Sequence, residues 1–277
     1  MKVIAHDHDI TINGLHVHYR QWGSAGRRPL LLLHASGCHV HWWDEVGPLL
    51  AADYDVFAPD LRGHGDSGRP EPPDYHFDAY VADVAGLVEH LGLQDFDLMG
   101  HSMGGYIALR YASTQPEGLR RLVAADMLCD VSGDILEQMH RASERPEPTF
   151  DTCEEALGRF RLQPPETTAS PEMLAMLARE AVRQTATGEW TFKFDRRARK
   201  HPPVRVWDVL PQITCPVLVV RGELSPLMPE ANAERMAQAL THGAWTNVPG
   251  AYHNLMLDNL TDFVEVVRTF LTAEDRS

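Results

Sequence analysis

The chain carries Gly100-His101-Ser102-Met103-Gly104-Gly105 between two runs of opposite character. Phe96-Asp97-Leu98-Met99 before it reads as a strand, and Tyr106-Ile107-Ala108-Leu109-Arg110-Tyr111-Ala112 after it reads as a helix. A G-x-S-x-G turn in that setting is so tight that its central residue is driven into strained backbone angles. Glycine two positions to either side lets strand and helix approach without a Cβ clash. Ser102 then stands clear of the surface at a helix start, where the first N–H groups favour negative charge beside its hydroxyl. The spacing by itself is a weak signal, because many glycine-rich loops contain a serine. The strand before and the helix after give it weight.

The rest of the chain alternates strand and helix around this turn. Ile10 to Ile12 and Leu15 to Trp22 flank Asn13-Gly14, a hairpin signal. Pro29 to His34, Asp55 to Ala58, Arg121 to Asp126, Pro216 to Gly222 and Ala244 to Val248 read as further strands. The apolar run Leu30 to Leu33 suits a strand buried on both faces. Asp78 to Leu91 carries an apolar stripe and stops at Gly92. Glu230 to Leu240 and the segment around Phe263, Val266, Val267 and Phe270 read as later helices. Such alternation predicts an α/β fold, a mostly parallel sheet flanked by helices, with ligands beyond the C-terminal strand ends. His34, Asp60, Ser102, Asp126 and Gly222 all occupy such ends.

Residues 127–210 break the alternation. No strong strand is read there, while Asp151-Thr152-Cys153-Glu154 opens a helix as a capping box and Ser170-Pro171-Glu172 opens another. The expected organisation is a core of residues 1–126 and 211–277 with a helical cap, 127–210, lying over the site as a lid. Trp190, Phe192 and Phe194 alternate on one face of an extended piece. They serve either as an apolar wall against substrate or as the anchor of the cap.

Composition narrows the partners. The net charge of −14 over 277 residues argues against nucleic acid and anionic membrane surfaces. No apolar run approaches a membrane span, and Met1 to Asp9 has no apolar leader core, so a cytoplasmic protein acting on a small molecule is expected, as a monomer or homodimer. Cys38, Cys129, Cys153 and Cys215 are scattered, without the spacing of a disulfide framework or zinc site, and Cys38 reads as a small semi-buried residue. The pairs His39/His41, His6/His8 and His16/His18 could each share a strand face, but none comes with an obvious carboxylate partner. No metal and no cofactor are expected.

A serine hydroxyl is a weak nucleophile and needs a base, which at neutral pH is histidine. Of 15 histidines, His253 follows a glycine-containing turn after the last strand and precedes the last helix. Four segments now make the chain similar to the α/β-hydrolase superfamily: Leu31 to Gly37, Asp60-Leu61-Arg62-Gly63-His64-Gly65-Asp66-Ser67, Gly100 to Gly105, and Val248-Pro249-Gly250-Ala251-Tyr252-His253. They occur in the family's order, and the resemblance covers nearly the whole chain.

The resemblance implies an eight-stranded sheet, a catalytic triad and an oxyanion hole. Ser102 and His253 fall on the nucleophile and base positions. The usual acid position, three residues after the glycine that ends the Pro216–Gly222 strand, is Ser225. Asp126, at the end of the preceding strand, matches an alternative position used by some members, and Glu223 is a second candidate. The oxyanion donors implied are the N–H groups of Met103 and Ser36. His34, Ala35, Trp190 and Phe192 are expected near substrate. Asp60 to Ser67 is expected to be scaffold, with Arg62 and Asp66 locking it through charge-assisted bonds. Serine at the turn argues against the family's haloalkane dehalogenases and epoxide hydrolases, which use aspartate, and His101 disfavours its carbon–carbon hydrolases. The implied activity is hydrolysis of a carboxylic ester, lactone or thioester through an acyl-enzyme. A carbon–carbon hydrolase, another acyl-transfer or cofactor-free oxidative enzyme, and a small-ligand receptor with little turnover remain as alternatives.

Overall fold

The computed structural model describes residues 3–273. Met1 and Lys2, part of the stretch read for a leader, and residues 274–277, which end the expected core, lie outside the described residues.

Chain order begins with β1 (His6–Ile12), β2 (Leu15–Trp22), β3 (Arg28–Leu33), α1 (Val46–Leu50), β4 (Tyr54–Pro59), α2 (Phe77–His90), β5 (Phe96–His101), α3 (Met103–Ser113) and β6 (Leu119–Ala125). An intervening segment holds β7 (Asp130–Val131), α4 (Gly133–Ser143), α5 (Cys153–Arg159), α6 (Pro171–Glu180), β8 (Val182–Gln184), β9 (Trp190–Phe192) and β10 (Val204–Arg205). The chain closes with β11 (Val217–Gly222), α7 (Glu230–Ala239), β12 (Gly243–Val248), α8 (Leu255–Asp258) and α9 (Leu260–Thr272).

Eight strands form one sheet in the order β1-β2-β4-β3-β5-β6-β11-β12. β2 runs antiparallel to β1 and β4, and the other pairings are parallel. Asn13 and Gly14, both at positive φ (51° and 77°), close the β1–β2 hairpin so that Ile12 pairs with Leu15. The two-residue period of β3 divides its leucines: Leu31 and Leu33 join the core that includes Phe77, Tyr80 and Ile107, while Leu30 and Leu32 join the core that includes Trp43, Leu50 and Phe263. Helices therefore cover both faces, and β3 buries all four of its leucines.

The segment between β6 and β11 differs in part from its sequence reading. It holds α4, α5 and α6, but also two short antiparallel ladders, β7 with β10 and β8 with β9. Val131 pairs with Val204. A two-residue ladder between such distant segments leaves no period for sequence to reveal. Ser170 caps α6, its Oγ accepting from Met173 N at 3.2 Å. The cap of α5 is shifted by one residue from the box read in sequence: Thr152 Oγ1 accepts from Glu155 N at 3.2 Å, and Glu155 Oε2 accepts from Asp151 N at 3.2 Å.

Candidate active site

Ser102 sits between β5 and α3 at φ 54° and ψ −118°. A non-glycine residue there costs about 1–3 kcal/mol and persists only where its surroundings impose it. They do so here by close backbone approach. A Cβ on Gly100 would lie 2.2 Å from Gly104 O, and one on Gly104 would lie 2.3 Å from Leu33 O and 2.6 Å from His34 O. The start of α3 is thus pressed against the end of β3, which brings Met103 beside the loop carrying Ser36. Ser102 N also donates to Ala125 O at 2.9 Å, tying the turn to the end of β6.

Asp126 follows directly, fully enclosed and at φ 35°. Its carboxylate receives three bonds. His253 Nδ1 donates to Oδ1 at 2.7 Å, Ser225 Oγ donates to the same oxygen at 2.6 Å, and Gly222 N donates to Oδ2 at 2.8 Å. A proton on His253 Nδ1 leaves Nε2 of the neutral ring as an acceptor. Glu223 is exposed and its Oε2 instead accepts from Gly250 N at 2.8 Å. Ser225, at the family's usual acid position, thus holds the carboxylate that comes from the neighbouring strand. Parallel pairing of β6 with β11, Ala125 opposite Val220, makes this reach short.

The loop bearing His253 is fixed on several sides. A Cβ on Gly222 would meet Tyr252 O at 2.1 Å, so β11 and this loop touch through backbone. Tyr252 N donates to Asp258 Oδ2 at 2.9 Å. His101 Nε2 donates to His253 O at 2.8 Å, and the two rings lie 4.7 Å apart. Burial, then the neighbouring His253, keeps the pKa of His101 well below the usual histidine value, so its neutral ring adds no charge beside Ser102. Sequence reasoning missed the roles of His101 and Asp258; adjacency of His101 to the turn was the one available signal.

The loop after β3 contains a correction. His34 and Ala35, expected near substrate, are closed off. His34 is fully buried; Leu61 N donates to its Nε2 at 3.0 Å and its Nδ1 donates to Ala35 O at 2.8 Å. Burial lowers its pKa, consistent with that neutral tautomer. Ala35 is buried and belongs to the core with Trp42 and Trp43. Ser36, by contrast, remains half-buried, next to Gly37 at φ 74°.

Asp60 anchors the floor. Its Oδ1 accepts from Val40 N at 2.7 Å, and its Oδ2 accepts from Asp66 N at 3.0 Å and His18 Nδ1 at 2.8 Å. Burial opposes its ionisation, but the His18 bond, His34 and the Asp66 amide hold its pKa well below the carboxylate range. Burial likewise pulls His18 down, yet the bond and charge of Asp60 leave its pKa raised. Among the described residues, the group spaced for a metal is His18, Asp60 and Asp66. Its inner carboxylate is already taken up by these bonds. Arg62 forks onto Asp83 at 2.6 and 2.8 Å, and Asp66 pairs with Lys193, from the segment between β6 and β11, at 2.7 Å.

The aromatic residues of the segment divide. Phe192 packs edge-on against Phe150 (5.8 Å), and Trp190 exchanges backbone bonds with Phe150. Phe194 rests against His64 (4.8 Å), which in turn faces His34 (5.2 Å). Phe194, rather than Trp190 or Phe192, is therefore the aromatic residue linked to the loop after β3. The segment is tied down by Asp195 N donating to Gly63 O (2.7 Å), Tyr75 hydroxyl donating to Asp195 Oδ2 (2.5 Å), and His39 Nε2 donating to Leu177 O (3.1 Å).

The sequence profile of the alpha/beta hydrolase family matches residues 30–266, and the chain belongs to that family. A "Serine hydrolase-like protein" of Danio rerio is 28% identical over 276 residues, covering 90% of this chain and 83% of that protein. A "Non-heme haloperoxidase" of Rhodococcus erythropolis is 28% identical, covering 89% and 92%. Other curated relatives align over only 32% to 50% of their own length. Among solved structures, E-2-(acetamidomethylene)succinate hydrolase superposes with a TM-score of 0.82 at 22% identity, covering 98% of this chain and all of that one, which speaks for the fold. The chain is a hydrolase of α/β fold.

Proposed function

We propose that this hydrolase is a serine enzyme cleaving a carboxylic ester, lactone or thioester through an acyl-enzyme. Ser102 Oγ attacks the carbonyl carbon while His253 Nε2 takes its proton. Asp126 holds the imidazole in the required tautomer and stabilises the imidazolium that forms. The N–H groups of Met103 and Ser36 hold the oxyanion, a role supported by the contact of Gly104 with Leu33 and His34. His253 then protonates the leaving alcohol or thiol, and a water it activates releases the acid. Asp126, not Glu223, is the acid here. The observation that carries this reading is the 2.7 Å bond from His253 Nδ1 to Asp126, set behind a serine in strained backbone geometry. Four free cysteines accord with a reducing, cytoplasmic setting.

The test is labelling with a fluorophosphonate, followed by a panel of esters, lactones and thioesters. Labelling of Ser102, steady turnover of one class, and loss of both in Ser102→Ala are expected. One stoichiometric burst without turnover would instead mark a small-ligand receptor. The haloperoxidase relative makes halide plus hydrogen peroxide a necessary arm of the same panel.

A further inference from the structure

A groove of about 380 Å³ lies where the loop after β4 meets the segment between β6 and β11. Arg69 lines it from the loop, Ser143 and Arg145 from the end of α4, and Arg196 and Arg197 from the turn that follows β9. Its two carboxylates are already matched. Asp195 is enclosed and takes Arg197 Nη2 at 2.7 Å and the Tyr75 hydroxyl at 2.5 Å. Glu147 takes Arg69 Nη1 at 2.5 Å.

Among the described residues, Arg145 and Arg196 have no carboxylate partner. Arg199 lies behind them, half-buried over the Phe194 ring (5.0 Å), with Gln163 Oε1 at 3.4 Å. Burial lowers its pKa, and the positive charges of Arg196 and Arg145 lower it further. The sequence has 39 acidic residues against 25 basic ones, so carboxylates are not scarce. A cleft that gathers guanidinium groups and leaves two unmatched stores like-charge repulsion that a bound anion relieves.

We propose that this groove binds an oxyanion group, a phosphate or carboxylate, through Arg145 and Arg196. Planar guanidinium forks suit both groups, and the volume accommodates a small molecule carrying one. The contacts Arg199–Phe194–His64–His34 run from a residue that feels the charges of Arg196 and Arg145 to the loop bearing Ser36. The anion is either the far end of the substrate or a free effector. Binding itself does not require Ser102 to be a nucleophile.

The test has two arms on the full chain. Calorimetric titration with pyrophosphate is run on the parent, on Ser102→Ala, and on Arg145→Ala/Arg196→Ala, with Arg145→Glu as a second, exposed-site variant and circular dichroism to confirm folding. Pyrophosphate affinity should fall about tenfold or more in both arginine variants and stay unchanged in Ser102→Ala. The kinetic arm compares KM for an ester bearing a free carboxylate with KM for its neutral analogue. A ratio that rises about tenfold in the arginine variants places the anion on the substrate. Weakened pyrophosphate binding with an unchanged ratio identifies a free effector. Pyrophosphate binding that the arginine variants leave intact, or no binding together with an unchanged ratio, overturns the proposal.

Discussion

Replacing Asp126 by asparagine probes the site at its most constrained point. The carboxylate accepts from His253 and Ser225 on one oxygen and from Gly222 N on the other. An amide cannot satisfy all three. With its NH2 toward His253, the imidazole must place its proton on Nε2, where it can no longer accept one from Ser102. With its NH2 toward Gly222, two donors face each other in an enclosed site, costing about 1–3 kcal/mol, and the negative charge behind the imidazolium is still lost. Either way kcat should fall about 10²- to 10⁴-fold, or about 3–5 kcal/mol of barrier.

The geometry also supplies a rescue. Ser225 Oγ lies 2.6 Å from the oxygen that His253 Nδ1 reaches at 2.7 Å, so a carboxylate at residue 225 approaches the same nitrogen. Asp126→Asn/Ser225→Asp should regain about tenfold or more over the single variant. Steady-state hydrolysis of a 4-nitrophenyl ester measures both, with thermal melting to show that each variant folds. An Asp126→Asn enzyme within about threefold of the parent, or a Glu223→Gln variant losing as much as Asp126→Asn, would refute the reasoning.

Three further outcomes follow from the same contacts. Gly104→Ala should be strongly destabilising and lose activity, because its Cβ would meet Leu33 O at 2.3 Å with no side chain able to yield; a melting temperature near the parent's contradicts this. His18→Asn should lower the melting temperature most near pH 6 and progressively less at alkaline pH. The raised pKa of His18 makes its contribution complete below its ordinary value and lost as pH rises through the folded one; an effect that grows with pH refutes the sign. Asp60, held low, contributes above the usual carboxylate pKa, so the parent should lose stability on acidification below about pH 4; a flat profile there opposes it.

The layout of the sheet was legible because it rests on local signals: an Asn-Gly turn, apolar runs of strand length, and a glycine that stops α2. The acid was legible only as a preference for Asp126, since Asp126 and Glu223 both end strands and only the β6–β11 register and the path of the His253 loop separate them. Ser225 could be seen to lack a charge, but its bond to Asp126 exists only across strands. His34 misled because its position beside the oxyanion loop says nothing of its ring turning inward to Leu61. The β7–β10 and β8–β9 ladders escaped notice because pairs two and three residues long carry no readable period. The arginine groove joins residues 69, 145 and 196, which no local pattern connects.

The decisive measurement is mass spectrometry of the enzyme trapped during turnover of a slow ester, with the acylated peptide sequenced. The acyl mass should sit on Ser102 and accumulate in His253→Ala only to a trace. Acyl mass on any other residue, or undiminished turnover by Ser102→Ala, would show that the strained serine is not where the chemistry happens.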